Sequence, residues 1–227
     1  MARSKINYFP VSALFIVTFF LLVALLIVVI EFDVIQYAYE KIGIHRRYVF
    51  ALLVLSLLGS YVNIPIGELP ETRVFDNQTI SFFGVRYVIP VVHEQPKTVL
   101  AINLGGAVIP VLLSAYLVFK HDLLGRTLLA VAVVTLVVHW MARPLKGVGI
   151  AVPMFIPPAV AAATALLISP DAAPVVAYIA GTIGTLIGAD LLNLKKLRGL
   201  GAPVASIGGA GTFDGIFLAG IIAVLLT

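Results

Sequence analysis

The sequence predicts an all-α polytopic membrane protein of about seven transmembrane helices, forming a single domain with one small extramembrane β-hairpin. Two observations carry this prediction. Of the 227 residues, 61% are hydrophobic and only 11% are charged, whereas a soluble domain has about 25% charged residues. Apolar runs of about 20 residues, the length that crosses a bilayer, also recur along the chain between polar connections.

Seven apolar runs are taken as spans, at residues 10–30, 48–66, 98–119, 123–141, 149–168, 172–194 and 201–226. Residues 31–47 carry several charges and are expected to extend the first helix or to connect two spans at the interface. Gly59, Asn63 and Pro65 predict a bent end for the second span. The third span is interrupted at residues 103–106, and the seventh is glycine-rich in its first half.

Residues 67–97 are predicted to form the extramembrane hairpin. Stretches 72–75 and 79–92 are rich in β-branched and aromatic residues, and Asp76-Asn77-Gln78 between them is the expected turn. At the end of the fourth span, His139 and Trp140 fit an interfacial belt.

Composition and charge exclude several classes of function. The net charge of +4 comes from Lys and Arg in the connections, without a basic patch interleaved with aromatics, so the expected partner is the lipid bilayer and not nucleic acid. The chain has no cysteine, which excludes disulfides and thiol catalysis. It has no H-E-x-x-H motif, and neither a metal nor a cofactor is predicted. The distribution of Lys and Arg favours a cytoplasmic N-terminus.

Two aspartates lie within apolar sequence, Asp190 at the end of the sixth span and Asp214 in the seventh. A carboxylate in hydrocarbon costs roughly 2.5–3.5 kcal/mol on insertion scales, so each needs a partner, water or a proton. Asn193 shares a helical face with Asp190. Each aspartate also has a purely structural interpretation. Asp190 could pair with a nearby lysine, and Asp214 could lie in the first turn of a half-helix capped by Thr212.

Small residues in the sixth span predict close helix packing. Gly181, Gly184 and Gly188 share one helical face, which allows a neighbouring backbone to approach. In the functional interpretation, these glycines bring Asp190 against the seventh span. Two nearby carboxylates would then share a proton, one acting as base on a water molecule and the other as acid.

This pair of motifs resembles the intramembrane aspartyl proteases, the group of presenilin, signal peptide peptidase and prepilin peptidase. In the resemblance, Asp190 matches the helical aspartate, and the second motif matches Gly209-Ala210-Gly211-Thr212-Phe213-Asp214, supported by Gly208. Thr212 and Phe213 separate the glycines from Asp214, unlike the family motif Gly-x-Gly-Asp. The resemblance implies catalysis by Asp190 and Asp214 on a transmembrane peptide. The segment GAPVASIGGAGTFDGIF, residues 201–217, resembles the terminal motif of an uncharacterised family of prokaryotic multi-pass membrane proteins. This second resemblance covers the whole chain, supplies no activity and implies a prokaryotic plasma membrane.

Two alternatives to a hydrolase remain. Asn103-Leu104-Gly105-Gly106-Ala107 and Ser206-Ile207-Gly208-Gly209-Ala210 are similar breaks in two spans. Paired breaks are the sequence signature of a transporter site at the bilayer midplane. Asp190 or Asp214 would then bind a proton or cation, with Asn103 and Asn193 as further ligands. The third interpretation is a membrane scaffold whose polar residues hold helices together.

Overall fold

A computed structural model describes residues 13–69, 73–82, 85–94, 98–145, 149–197, 204–209 and 215–227. Helices dominate, and short strands adjoin them, apart from β2 and β3, which pair with one another. In chain order the elements are α1 (Ala13–Lys41), α2 (Arg46–Gly59), β1 (Asn63–Leu69), β2 (Arg73–Phe82), β3 (Val85–Glu94), β4 (Thr98–Asn103), α3 (Ile109–His121), α4 (Leu124–Met141), β5 (Arg143–Leu145), β6 (Gly149–Ala151), α5 (Ile156–Ile168), α6 (Ala173–Ile179), β7 (Val204–Ile207) and α7 (Gly215–Leu225).

Three helices in the described ranges are long and apolar enough to cross a membrane: Leu104–His121, Leu124–Met141 and Pro170–Lys196. A fourth is added if Glu31–Lys41 and Arg46–Gly59, which meet at 115°, form one broken span. A helical membrane protein is therefore confirmed, whereas the seven predicted spans are not supported.

Strands account for three of the predicted spans that the structure does not support, the second, fifth and seventh. Helices α2, α5 and α7 have 14, 13 and 11 residues, well short of the roughly 20 that a span needs. The apolar runs assigned to them also contain β1, β6 and β7. Because short buried strands and buried helices have the same hydropathy, an apolar run alone does not separate them.

The charged residues after the first apolar run extend α1, which continues to Lys41 and confirms the expected helical extension. The chain then turns at Gly43, whose φ of +83° lies in the left-handed region that favours glycine. Helix α2 begins at Arg46, and the His45 side chain caps it by accepting a hydrogen bond from Arg47 N at 3.3 Å.

The predicted hairpin exists, but its expected turn is wrong. Strands β2 and β3 pair antiparallel from Arg73 opposite Glu94 to Phe82 opposite Val85. Asp76 to Gln78 therefore lie inside β2, opposite residues 89–91, and do not form the turn. Asn-Gln lacks the glycine that a two-residue turn favours.

A three-stranded sheet in the order β1-β4-β7 organises the rest of the fold. Strand β1 runs antiparallel to β4, with a register shift between Pro65 and Gly67, and β4 runs parallel to β7. Proline cannot donate to a strand ladder, which suits the edge position of β1. Because side chains alternate between faces, Ile102 and Ile207 share one face, and both pack in a small apolar cluster with Leu186 and Ile216.

The main core lies among α4, α5, α7 and the long helix Pro170–Lys196. This helix contains two π-helical turns, Ala180–Gly184 and Leu186–Asp190, and ends in a 3-10 segment, Leu191–Leu197. Its three glycines confirm the predicted close packing but face two partners. A β-carbon on Gly181 would lie 2.9 Å from Ala219 O of α7, whereas one on Gly188 would lie 2.6 Å from Thr135 O of α4.

Candidate functional site

The first predicted break is the point where β4 becomes a helix. Leu104–Val108 forms a π-helical turn, and α3 follows directly. The Asn103 side chain caps this turn by accepting a hydrogen bond from Gly106 N at 2.7 Å. A helix end leaves backbone N–H groups without partners, and a capping oxygen satisfies one of them. Asn103 thus holds the break in place.

The second predicted break follows β7 and lies against the first. Gly208 and Gly209 have φ values of +84° and +88°, a conformation that side chains other than glycine rarely adopt. A β-carbon built on Gly106 would overlap the carbonyl oxygen of Gly208, and one built on Gly208 would lie 2.6 Å from the β-carbon of Ala107. The two similar pentapeptides therefore meet at the ends of two parallel, neighbouring strands.

Polar side chains gather on the sheet face opposite the apolar cluster. Asn63 pairs with Asn103 across β1 and β4, and Ser206 pairs with Ala101 across β4 and β7. These side chains share one face. Asn63 Oδ1 accepts hydrogen bonds from Asn103 Nδ2 at 3.0 Å and from Ser206 Oγ at 2.6 Å. Asn103 also donates to Ser60 O at 2.6 Å and is 1% exposed. The small Ala101 side chain leaves room for these contacts.

Asp190 contacts the second break, two residues after Ser206. Its Oδ2 accepts a hydrogen bond from Gly208 N at 2.8 Å. The carboxylate is half-buried, on the last residue of the second π-helical turn. Departures of this kind from regular helix occur frequently at functional sites. We call Asn63, Asn103, Ser206 and Asp190 the strand-end cluster.

Asn193 is fully buried and bonds to its own helix. Its Nδ2 donates to Gly188 O at 2.8 Å and to Ala189 O at 2.9 Å. The same nitrogen lies 3.2 Å from His139 Nδ1, a contact in which the histidine accepts when its proton is on Nε2. Asn193, three residues after Asp190, therefore contacts the last turns of its own helix and His139 of α4.

The predicted pairing of the two aspartates falls outside the residues that the structure describes, as do Gly211, Thr212, Phe213 and Asp214. Within the described residues, no group of three His, Asp or Glu side chains could hold a metal ion.

The sequence does not identify Asn63 as a member of this site, nor the Ser60 carbonyl as an acceptor for Asn103. Asn63 was taken only as a signal that the second span bends, although it accepts two of the hydrogen bonds that join the strands. From the sequence, Ser206 is predicted only to begin the second glycine break. A usable signal was present, because each of the two similar pentapeptides begins with a polar residue, Asn103 or Ser206, two positions before its glycine pair.

Comparison with protein families identifies the wider group. Residues 57–226, which contain the whole strand-end cluster, match the family described as "Protein of unknown function (DUF1614)". The chain belongs to this family. Membership confirms the resemblance to an uncharacterised protein family, while the resemblance to aspartyl proteases stays a prediction. No curated protein and no solved structure matches the chain.

Proposed function

We propose that this member of the DUF1614 family is a proton- or cation-coupled carrier of small solutes, with its binding site at the strand-end cluster. One observation carries the proposal: the two glycine breaks touch at Gly106 and Gly208, and the carboxylate of Asp190 is bonded to the second break. Paired interruptions with backbone freed from helical bonding are the arrangement by which carriers hold substrate and coupling ion.

The chemistry of the cluster suits a hard cation or a proton. Its side chains supply a carboxylate, two amide oxygens and a hydroxyl, the oxygen ligands that hard cations prefer. Asn103 and Ser206 are positioning residues, because their hydrogen bonds to Asn63 hold the strand ends together. Asp190 supplies the carboxylate to which a cation or proton would bind.

The test removes the negative charge of Asp190 but keeps an oxygen that can accept the hydrogen bond. In Asp190→Asn, the amide oxygen still accepts the hydrogen bond from Gly208, so the fold is kept while the charge is lost. Proteoliposomes are given an imposed pH or sodium gradient, and proton and sodium entry are followed with an internal dye. We expect flux through the unchanged protein and background flux through Asp190→Asn.

Asp171→Asn is the matched control, because it makes the same chemical change at an exposed aspartate that pairs with Arg126. This variant should retain full flux. Wild-type flux through Asp190→Asn, or the absence of both ion fluxes from the unchanged protein, would refute the carrier.

An intramembrane aspartyl-protease-like hydrolase is the second candidate. A specific contact favours it: Asp190 is bonded to Gly208, which opens the glycine segment that continues to Asp214. In this mechanism one carboxylate takes a proton from water, which attacks a peptide bond of a transmembrane substrate, while the other protonates the leaving amine.

Cleavage of a fluorogenic transmembrane peptide separates the two candidates. The hydrolase predicts that Asp190→Asn and Asp214→Asn each abolish cleavage, and it is rejected if Asp214→Asn cleaves normally. If neither cleavage nor flux occurs and the substitutions alter only stability, the chain is a membrane scaffold.

We further propose a prokaryotic plasma membrane location, which the resemblance to prokaryotic multi-pass membrane proteins supports. We also propose a cytoplasmic N-terminus, which the distribution of Lys and Arg favours when it is counted over the seven predicted spans. A reporter that is active only in the cytoplasm, fused to the N-terminus, should be active. An inactive reporter on a folded, membrane-inserted fusion would reverse this orientation.

A further inference from the structure

A groove unrelated to the strand-end cluster lies in the elbow between α1 and α2, against α3. It has a volume of about 520 Å³. Its floor is apolar, formed by Leu52, Leu55 and Leu113, and its mouth is lined by His45, Tyr48, Tyr116 and Lys120. The groove therefore has an apolar end and a polar, basic end.

The mouth lies at the level where the chain leaves the membrane. The candidate span that contains α3 ends at His121, and the next one begins at Leu124. Tyr48 and Tyr116 are each 51% exposed, and tyrosines of this kind are typical of the membrane–water interface. Leu55 is also exposed, so the floor opens towards the hydrocarbon.

Positive charge is concentrated at this mouth. Lys120 Nζ donates to Gly43 O at 2.6 Å and lies 5.6 Å from the centre of the Tyr116 ring. Arg47 donates to the Tyr48 hydroxyl at 2.6 Å, and its guanidinium carbon lies 4.5 Å from the centre of that ring. The rings hold both cations in place before any ligand arrives, and each cation has further donors for an anion.

The charges around the mouth do not cancel. Lys120 lines the mouth, and Arg46 and Arg47 follow directly after His45, so these three cations outnumber the nearby carboxylates Glu40 and Asp122. Arg126, further along the same side, is already paired with Asp171 at 2.7 Å. A basic mouth over an apolar floor is complementary to a molecule with an anionic head and a hydrocarbon tail.

We propose that this groove binds an anionic phospholipid. Lys120 and Arg47 bind the phosphate, and an acyl chain lies along Leu52, Leu55 and Leu113. Basic sites at the membrane interface bind anionic headgroups in this way, and loss of one cation is expected to weaken binding about fivefold. A soluble anion would leave the apolar floor uncovered, and a zwitterionic lipid would not use the net positive charge.

The test uses the full chain, purified and delipidated in detergent. Phosphatidylglycerol and phosphatidylcholine with identical acyl chains are titrated in, and bound lipid is counted by native mass spectrometry while the unfolding temperature is followed. We expect phosphatidylglycerol to bind more tightly and to raise the unfolding temperature further. Equal effects of the two lipids, as when another segment of the chain or a second copy fills the groove, overturn the proposal.

Variants locate the effect in the groove. Lys120→Met and Arg47→Gln should each weaken phosphatidylglycerol binding about fivefold while leaving phosphatidylcholine binding unchanged. Leu55→Trp fills the floor and should reduce binding of both lipids. Lys195→Met, at an exposed lysine outside the groove, is the matched control and should bind like the unchanged protein. Wild-type binding by Lys120→Met and Arg47→Gln overturns the proposal even if Leu55→Trp does not fold.

A separate titration with glycerol phosphate distinguishes a lipid site from a site for a soluble phosphate. Glycerol phosphate carries the same phosphate chemistry without the acyl chains, so at equal concentration it should neither bind measurably nor raise the unfolding temperature. An equal effect of glycerol phosphate would mean that the site takes a soluble anion, and the lipid assignment would fall.

Discussion

The contact between the two glycine breaks makes a quantitative prediction for Gly208→Ala. The φ of +84° at this position should cost a residue with a β-carbon about 1–2 kcal/mol. The new carbon would also lie 2.6 Å from the β-carbon of Ala107 and 2.7 Å from its backbone nitrogen. Overpacking of this kind costs about 1–3 kcal/mol. The free energy of unfolding should therefore fall by about 2–5 kcal/mol.

Substitutions at two further glycines separate the cost of the backbone conformation from the cost of overpacking. Gly43 has nearly the same φ, +83°, but the nearest atom to its β-carbon is the flexible end of Lys120, at 3.2 Å. Gly43→Ala should therefore lose only the conformational part, about 1–2 kcal/mol. Gly125 lies in the first turn of α4 with no atom within 4 Å of a β-carbon, so Gly125→Ala should change stability by no more than about 1 kcal/mol.

Unfolding of the purified protein in detergent micelles, by heat and by denaturant, measures all three variants. A loss of about 3 kcal/mol lowers the unfolding temperature of a chain of this size by on the order of 10 °C. The expected order of stability is Gly125→Ala, then Gly43→Ala, then Gly208→Ala. If Gly208→Ala is as stable as Gly125→Ala, the breaks do not touch, and the reasoning that places a site between them fails.

Three other substitutions test individual contacts by the same unfolding measurement. Ser206→Ala removes the donor to Asn63 Oδ1 and should cost about 1 kcal/mol; no change would mean that this bond does not hold the strand ends. Asn193→Ala removes two hydrogen bonds to carbonyls of its own helix and should cost about 2–3 kcal/mol, so wild-type stability would contradict its role there. Arg126→Gln breaks the exposed pair with Asp171 and should cost under about 1 kcal/mol, less at high salt; a larger, salt-independent loss would show that the pair is not simply a surface one.

The sequence could predict the helices that are long, apolar and uninterrupted. The fourth and sixth spans correspond closely to Leu124–Met141 and Pro170–Lys196, because each is a long apolar run without early breakers. The positions of the two glycine breaks were also correct. What the pattern missed is that strands lead into these breaks, since Thr98–Asn103 and Val204–Ile207 are as apolar as helix.

The site itself depends on pairing that a single sequence does not show. Asn63 and Asn103 are 40 residues apart in the chain, and Ser206 is 143 residues from Asn63. The two pentapeptides looked alike, yet their similarity gave no information about whether they would meet. Parallel pairing of β4 with β7 brings them together, and a register between strands so far apart in the chain is set by tertiary packing rather than by local preference.

Asp190 can act in two ways at its contact with Gly208. Its oxygen accepts a hydrogen bond, and its negative charge can have a separate role. In a dry environment the Gly208 N–H needs an acceptor, which the carboxylate supplies at 2.8 Å. An asparagine would supply the same acceptor, yet a carboxylate in hydrocarbon costs roughly 2.5–3.5 kcal/mol on insertion scales. The bond to Gly208 alone therefore does not account for an acid at this position.

Comparison of Asp190→Asn with Asp190→Ala measures the contribution of the acceptor oxygen and that of the charge to stability. Asp190→Ala leaves the N–H of Gly208 without its acceptor and should lower the free energy of unfolding by about 1–3 kcal/mol. Asp190→Asn keeps the acceptor and should be close to the unchanged protein, with unfolding in micelles as the measurement. Should the asparagine variant be as unstable as the alanine variant, the charge itself holds the fold, and loss of flux in Asp190→Asn would no longer point to transport.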